Sequence, residues 1–234
     1  MRALAQIARE SGDGLLRVAI DQNLCIGYVP QSRVRQVYGI LKHHELADAG
    51  VGQLDDPVTC PGAYSCNLAL TKTMNLGWAL EATAKEYLAK YPDPEIAKLR
   101  IHASGCPNAC GQHWTGDFGF YGNARKIDGK EVPYYQFLLG GTTDQSGAAK
   151  FGLAIQSIPA RSTTVALVRV LDHFRENHNP GESFRDYVVR HKVETFKKLT
   201  ADLVKPSELA PEMFRDWGDD TDFSLQLGRG ECAA

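Results

Sequence analysis

The sequence predicts an α+β protein in two parts, and three observations carry that expectation. The N-terminal stretch reads as helix, strand, helix. A middle stretch holds three strand-like runs, and two amphipathic helices follow it. In "RALAQIARE", Leu4, Ile7 and Ala8 recur at helical spacing, and the turn residues of "SGDG" end the run. "LLRVAIDQNLCIGYV" is rich in Val, Ile and Leu with partial alternation, which predicts one strand. After Pro30, "SRVRQVYGILKHH" sets Val34, Val37, Tyr38 and Leu41 on one helix face. A compact α/β unit would open on a strand before its first helix. Met1 stands where that strand is expected, so the unit is expected to be cut short.

Residues 47–59 form a polar connection containing "DDP". From Cys66 to Tyr91 the pattern is helical, with Leu68, Leu70, Met74, Leu80, Ala84, Tyr87 and Leu88 as its apolar positions. "YPDPE" is a turn. "KLRIHAS", "DFGFYGNAR" and "YYQFLLGG" read as strands. "PARSTTVALVRVLDHFREN" is a helix with Ser162 as N-cap and Val165, Val168, Leu171 and Phe174 along one side. "ESFRDYVVRHKVETFKKL" is another, and the tail from Ala201 is expected to be irregular.

The formal net charge of −2 gives no basic excess for nucleic acid and no polybasic tract for a membrane surface. No apolar run approaches the roughly 20 residues that span a bilayer. "MRALAQIARESGDG" is charged throughout and lacks a signal-peptide core, so the expected compartment is the cytoplasm. Cysteines stay reduced there, and a spaced set points to metal or catalysis.

Four of the six cysteines form such a set: Cys60 and Cys66 in "TCPGAYSCNLAL", Cys106 and Cys110 in "SGCPNACGQH". Disulfides suit a reducing compartment poorly. Structural zinc usually pairs its cysteines within short knuckles, and five residues separate Cys60 from Cys66. An iron–sulfur cluster needs four thiolates around a cube and tolerates varied spacings, because several loops can approach it. Gly62, Gly105 and Gly111 let backbone come close, and Pro61 and Pro107 stiffen the loops.

Together these motifs closely resemble the paired cluster motifs of the nitrite/sulfite reductase haemoproteins. The resemblance extends to "LRVAIDQNLCIGYVP", "YYQFLLGG" and "GESFRDYVVR", and so covers nearly the whole chain. It implies a truncated ferredoxin-like half-domain (residues 1–53), a mixed-sheet α/β domain binding sirohaem and a [4Fe–4S] cluster (54–200), and a C-terminal tail (201–234). It implies that Cys60, Cys66, Cys106 and Cys110 hold the cluster and that Cys110 bridges to the sirohaem iron. Asn108 would touch the macrocycle or one of its carboxylates, unless it serves only as a turn former. The implied activity is six-electron reduction of sulfite to sulfide or nitrite to ammonia, with electrons from ferredoxin or a flavoprotein.

The family's full-length chains are internal duplications. Where the first copy carries an anion-binding arginine, this chain has Asp21, as in the second copy. An aspartate repels an oxyanion, so Asp21 is expected to be a solvent-facing strand residue. The resemblance therefore implies the C-terminal, cofactor-bearing half, in which no catalytic residue is assigned: a fragment or one piece of a split enzyme with a missing N-terminal half or partner subunit, in preference to a complete small reductase. Two rival readings are a non-catalytic cluster- or zinc-stabilised binding module and a dissimilatory-type subunit.

Other residues have plainer expectations. Cys25 reads as a buried inert thiol and Cys232 as a free surface thiol. His113 reads as a satisfied packing residue, with a donor role near the cluster as the alternative. His102 is expected to be structural, and Trp78 and Trp114 to be core. Lys72, Arg100, Arg125 and Lys126 are candidates for sirohaem carboxylates, against the commoner solvated surface.

Overall fold

The computed structural model describes residues 1–143, 148–204 and 210–225. The chain divides into two compact units, Met1–Val51 and Gly52–Ala234.

The first unit holds α1 (Arg2–Ser11), β1 (Leu16–Val18), β2 (Leu24–Ile26) and α2 (Val34–His43). Ala3, Ile7 and Ala8 are buried along α1. The helix ends where Gly12 and Gly14 donate their N–H groups to Ala8, Gly14 at 2.8 Å. The single strand expected over 15–29 is instead a hairpin, with Val18 opposite Leu24 in antiparallel register. Its turn runs through Asp21, Gln22 and Asn23, with Gln22 at φ 66°. Asp21 therefore sits in the turn rather than on a strand, and its Oδ1 is enclosed with no partner among the described residues. Cys25 is exposed, not buried: it lies on a two-stranded ribbon where none of the described residues covers its side chain.

The second unit is built on a five-stranded sheet of order β3-β4-β5-β6-β7. Its strands are β3 (Val58–Thr59), β4 (Ile101–Ser104), β5 (Phe118–Ile127), β6 (Lys130–Leu139) and β7 (Leu153–Pro159). β3 pairs parallel with β4, and β4 with β5. β5, β6 and β7 are antiparallel. Asp128 and Gly129 join β5 to β6, both at positive φ (49° and 82°), as a two-residue hairpin turn requires. β7 lies where the sequence pattern predicted no strand, since Gln156 and Ser157 interrupt its apolar run.

One sheet face carries the core. Ala103, Phe118, Phe120, Phe137 and Leu139 meet α3 (Thr73–Lys90) and α5 (Thr163–Asn177) through Leu76, Leu80, Leu167 and Leu171. Truncating any one of these leucines to alanine costs about 2–5 kcal/mol. Pleating turns Ser104, Tyr121, Asn123 and Arg125 to the opposite face. The short α4 (Pro94–Ala97) is capped by Asp93, whose side chain accepts from the Glu95 N–H. Ser162 stands at the N-cap of α5 but makes no side-chain cap bond.

The helix expected from Cys66 starts only at Thr73. Leu70 and Thr71 give their N–H groups to the Gly105 carbonyl at 2.8 and 3.2 Å, and these tertiary bonds replace helical ones. Trp78, expected in the core, is 56% exposed, because α3 buries the opposite face. Residues 201–225 are more structured than expected where they are described. They include α7 (Ala201–Val204) and a 3-10 turn at Pro211–Phe214, while Cys232 lies outside the described residues. Among the described residues no helix is long and apolar enough to cross a membrane.

Helix α6 (Phe184–Leu199) is interrupted at Lys192, whose φ of 65° and ψ of 155° belong to a region that L-residues avoid. Lys192→Gly is expected to raise stability by about 1 kcal/mol, read as a higher urea midpoint with an unchanged slope. A lower midpoint would show that this geometry is not strained in solution.

Candidate functional site: two stapled cysteine loops

The two cysteine pairs come together through the parallel pairing of β3 with β4, which sets Thr59 opposite Ala103. One residue further on, Cys60 donates its N–H to the Ala103 carbonyl at 3.2 Å. In return Gly105 donates its N–H to the Cys60 sulfur at 3.1 Å. The Cys60 thiol also faces Thr73 Oγ1 at 3.8 Å. The first loop closes on itself where Cys66 N–H reaches the Gly62 carbonyl at 3.0 Å and Ala63 N–H the Thr71 carbonyl at 2.8 Å.

The loops touch backbone to backbone, and two glycines permit it. Gly62 has φ 58°, and a Cβ there would lie 2.4 Å from Thr73 N. A Cβ on Gly111 would lie 1.9 Å from the Ala103 carbonyl oxygen and 3.0 Å from Cys60 N. The second loop also passes through Ala109 (φ 60°) and Gln112 (φ 56°), on either side of Cys110. Left-handed conformations at such residues cost about 1–2 kcal/mol each and persist only where their surroundings impose them.

The thiols differ in exposure. Cys60 and Cys106 are buried, Cys66 is half-buried and Cys110 is exposed. Burial pushes the Cys106 thiol above its usual range, the Asn108 backbone N–H opposes that, and Cys60, Cys110 and Cys66 add to the rise. Cys106 is thus near enough to feel the other three. Among the described residues, no three His, Cys, Asp or Glu side chains close on a point as ligands of a single ion would. The Asn108 side chain is exposed, and its backbone N–H is what faces a cysteine sulfur.

Behind the second loop, Ser104 Oγ accepts the Gly111 N–H at 3.0 Å and meets His113 Nδ1 at 2.8 Å. His113 is fully buried, its Nε2 has no partner among the described residues, and burial followed by His102 lowers its pKa to about 4. His102 is structural, as expected, with Nδ1 3.1 Å from the Gln112 carbonyl. Trp114 is half-buried beside Phe151, with ring centroids 5.6 Å apart.

Two of the four basic candidates are already engaged. Lys72 pairs with Asp219, and Arg100 approaches Asp117 at 3.7 Å. Arg125 lies over the Tyr134 ring at 4.9 Å, and Lys126 is exposed. The sequence pattern gave no sign of the C-terminal segment's part. Asp216, buried, accepts the N–H groups of Lys72 (2.7 Å) and Trp217 (2.8 Å). Arg161 holds the Asp216 carbonyl at 2.8 Å and stacks on Trp217. A cavity of about 420 Å³ separates this segment from the first loop, lined among others by Cys66, Asn67, Lys72, Asp219 and Phe223.

Paired cysteine loops on a mixed sheet are the candidate cofactor site of this domain. The chain belongs to the nitrite and sulphite reductase family. Residues 51–207 match its 4Fe-4S domain, and residues 1–44 match its ferredoxin-like half domain. This membership implies a [4Fe–4S] cluster and sirohaem as cofactors.

A ferredoxin–nitrite reductase of Leptolyngbya laminosa is 31% identical over 177 residues, 73% of this chain and 33% of that protein. A sulfite reductase [NADPH] hemoprotein beta-component of Bacillus velezensis is 27% identical over 203 residues, 81% of this chain and 32% of that protein. The chain spans about a third of the length of these curated relatives. The NirA protein of Mycobacterium tuberculosis shares the fold, with TM-score 0.65 and 21% identity over 83% of this chain and 36% of that one. So does dissimilatory sulfite reductase I, with TM-score 0.65 and 12% identity over 97% of this chain and 72% of that one.

Two outcomes follow from this geometry. Gly111→Ala is expected to cost about 1–3 kcal/mol or more through overpacking. It should also make Cys60 react faster with a thiol reagent; unchanged reactivity would argue against the staple. The second outcome concerns Asp216, whose pKa burial raises from 3.8 to about 6. The folded protein keeps that proton to higher pH than the unfolded chain. The stability it contributes is full below pH 3.8 and is lost as the pH rises through about 6. Asp216→Asn loses one acceptor and is less stable throughout, yet its Tm should fall less than the native protein's across that window. Parallel Tm curves would refute the assignment.

Proposed function

We propose that this chain is the cofactor-bearing half of a sirohaem- and [4Fe–4S]-dependent reductase, acting on sulfite or nitrite by six-electron reduction to sulfide or ammonia. In this reading Cys60, Cys66, Cys106 and Cys110 are the cluster thiolates, and Cys110 is shared with the sirohaem iron. The observation that carries it is the stapling of the two loops, with the Gly105 N–H on the Cys60 sulfur and the other three thiols felt at Cys106. Four cysteines on two loops suit a four-iron cube, which several loops can approach. Exposure of Cys110 supports its shared role, since its sulfur keeps an open side.

When bound, the two cofactors supply electron storage and the multi-electron chemistry. The chain's own part is to orient the thiolates, exclude water from Cys60 and Cys106, and offer backbone N–H groups to sulfur. Arg125 and Lys126, which make no ion pair among the described residues, are better candidates for macrocycle carboxylates than Lys72 and Arg100. Asn108 serves the site through its backbone.

The first unit exposes Val18 (81%), Ile20 (82%) and Tyr28 (85%), and this supports a further half-domain or partner subunit packing there. Ferredoxin or a flavoprotein is the proposed electron donor. The cytoplasm, which keeps thiols reduced, is the proposed compartment.

The test is anaerobic expression in a host that makes sirohaem, followed by a visible spectrum and iron and acid-labile sulfide counts. About five irons, about four sulfides and a sirohaem band are expected. Cys60→Ala or Cys106→Ala should lose most of that iron, and Cys25→Ala should lose none. Zinc, or a folded protein free of metal, would overturn the reading. A cluster without sirohaem would mean that the pocket is completed by another chain.

A further inference from the structure

The Cys60 sulfur meets two groups that arrive from different elements. The Gly105 N–H, one residue past β4, donates to it at 3.1 Å. Thr73 Oγ1, on the first residue of α3, lies 3.8 Å from it. Thr73 is fully buried. Just before it in the chain, the Asp216 carboxylate holds the Lys72 N–H at 2.7 Å. A Cβ on Gly62 would lie 2.6 Å from Thr73 Oγ1, and a Cβ on Gly105 would lie 2.8 Å from it. Both cysteine loops thus present bare backbone where this one hydroxyl enters.

The direction of the contact depends on the state of the sulfur. As a thiol, Cys60 can donate its S–H to Thr73 Oγ1. A sulfur that binds iron has given up that proton, since the thiolate is the ligand. The contact then persists only with Thr73 as the donor. Two other acceptors face the Thr73 proton. The Thr71 carbonyl is 3.5 Å away and already takes the Ala63 N–H at 2.8 Å. The buried Tyr135 hydroxyl faces Thr73 without closing a hydrogen bond among the described residues. Both are neutral, and a bond to an ionised acceptor is roughly twice as strong as one between neutral partners.

We propose that Thr73 is a positioning residue of the cluster: its hydroxyl donates to the Cys60 sulfur once iron is bound and, with the Gly105 N–H, fixes that sulfur's orientation. This rests on the cluster reading above and adds a residue that tunes it. A donor to sulfur stabilises the more negative reduced cluster, so it raises the reduction potential. On reduction the cluster takes one electron from an added chemical reductant, and the Thr73 proton stays on its oxygen.

The experiment is a redox titration of the full, cofactor-loaded chain, prepared in water and in D2O, with electron–nuclear double resonance of the reduced state. Thr73→Val keeps the branched shape and removes the donor. Its equilibrium constant for reduction should fall about three- to tenfold, tenfold being 59 mV for one electron. One exchangeable deuteron coupling should disappear with it. Thr73→Ser keeps the hydroxyl and should retain both the potential and the coupling. Should Thr73→Val fail to load, Thr73→Ser decides. Its loading with a native potential would support the hydroxyl's role, and its failure to load would overturn the proposal in favour of packing by the Thr73 methyl group.

A native potential and unchanged couplings in Thr73→Val would assign the proton to another acceptor, overturning this inference and leaving the cluster reading intact. Equal shifts in Thr73→Val and Thr73→Ser would overturn it in favour of a packing effect. A native chain with no iron or sulfide would end the cluster reading and this inference with it.

Discussion

The second unit's site depends on one short parallel pairing, that of β3 with β4. Two residue pairs form the ladder, and the Cys60 N–H prolongs it to the Ala103 carbonyl. Without that register, Cys60 would not stand over Gly105, and the Gly105 N–H would lose the sulfur it reaches at 3.1 Å. The same carbonyl–amide traffic sets where α3 begins. The Gly105 carbonyl takes the N–H groups of Leu70 and Thr71, so residues 66–72 are held as a loop instead of joining the helix. Cys66 is thereby released from a helical face and lines the cavity toward the C-terminal segment.

Close approach has a cost, which the core beneath it offsets. Gly62 and Gly111 sit where any side chain would meet backbone, and Ala109 and Gln112 hold left-handed conformations beside Cys110. Strained loops of this kind need rigid neighbours. Here the neighbours are β4 and β5, whose inward residues Ala103, Phe118 and Phe120 are fully buried against α3 and α5. The core side of the sheet thus fixes the strands, and the strands fix loops that local propensity would not form.

How much of this was legible in the sequence depended on the range of the interaction. α1, α2, α5 and the long strands β5 and β6 announce themselves through local periodicity. The cysteine loops were legible because their spacing, prolines and glycines form a dense local motif. The β1–β2 hairpin was not, because its turn places Gln22 at positive φ where Gly or Asn would have signalled it. The late start of α3 was hidden because its cause is the Gly105 carbonyl, far along the chain. The contribution of Asp216, Trp217 and Arg161 was invisible for the same reason. The Arg161–Asp216 and Lys72–Asp216 bonds span 55 and 144 residues, and an acidic tail looks like solvated surface until its partners are known.

The electrostatics around the loops follow a single logic. Burial is the largest influence on Cys106, His113 and Asp216, and it drives each toward its neutral form. Asp117, below the sheet's lead-in at Arg100, follows the same rule. A low-dielectric environment that suppresses charge is a poor place for isolated thiolates, and four of them would repel one another strongly. It becomes a good place for them once a multiply charged metal group shares the volume, because a bound cation inverts the local preference and deprotonates coordinating thiols outright. On the proposed cluster reading, the buried setting of Cys60 and Cys106 is part of the function: it disfavours free thiolates and would strengthen N–H to sulfur bonds once iron is bound.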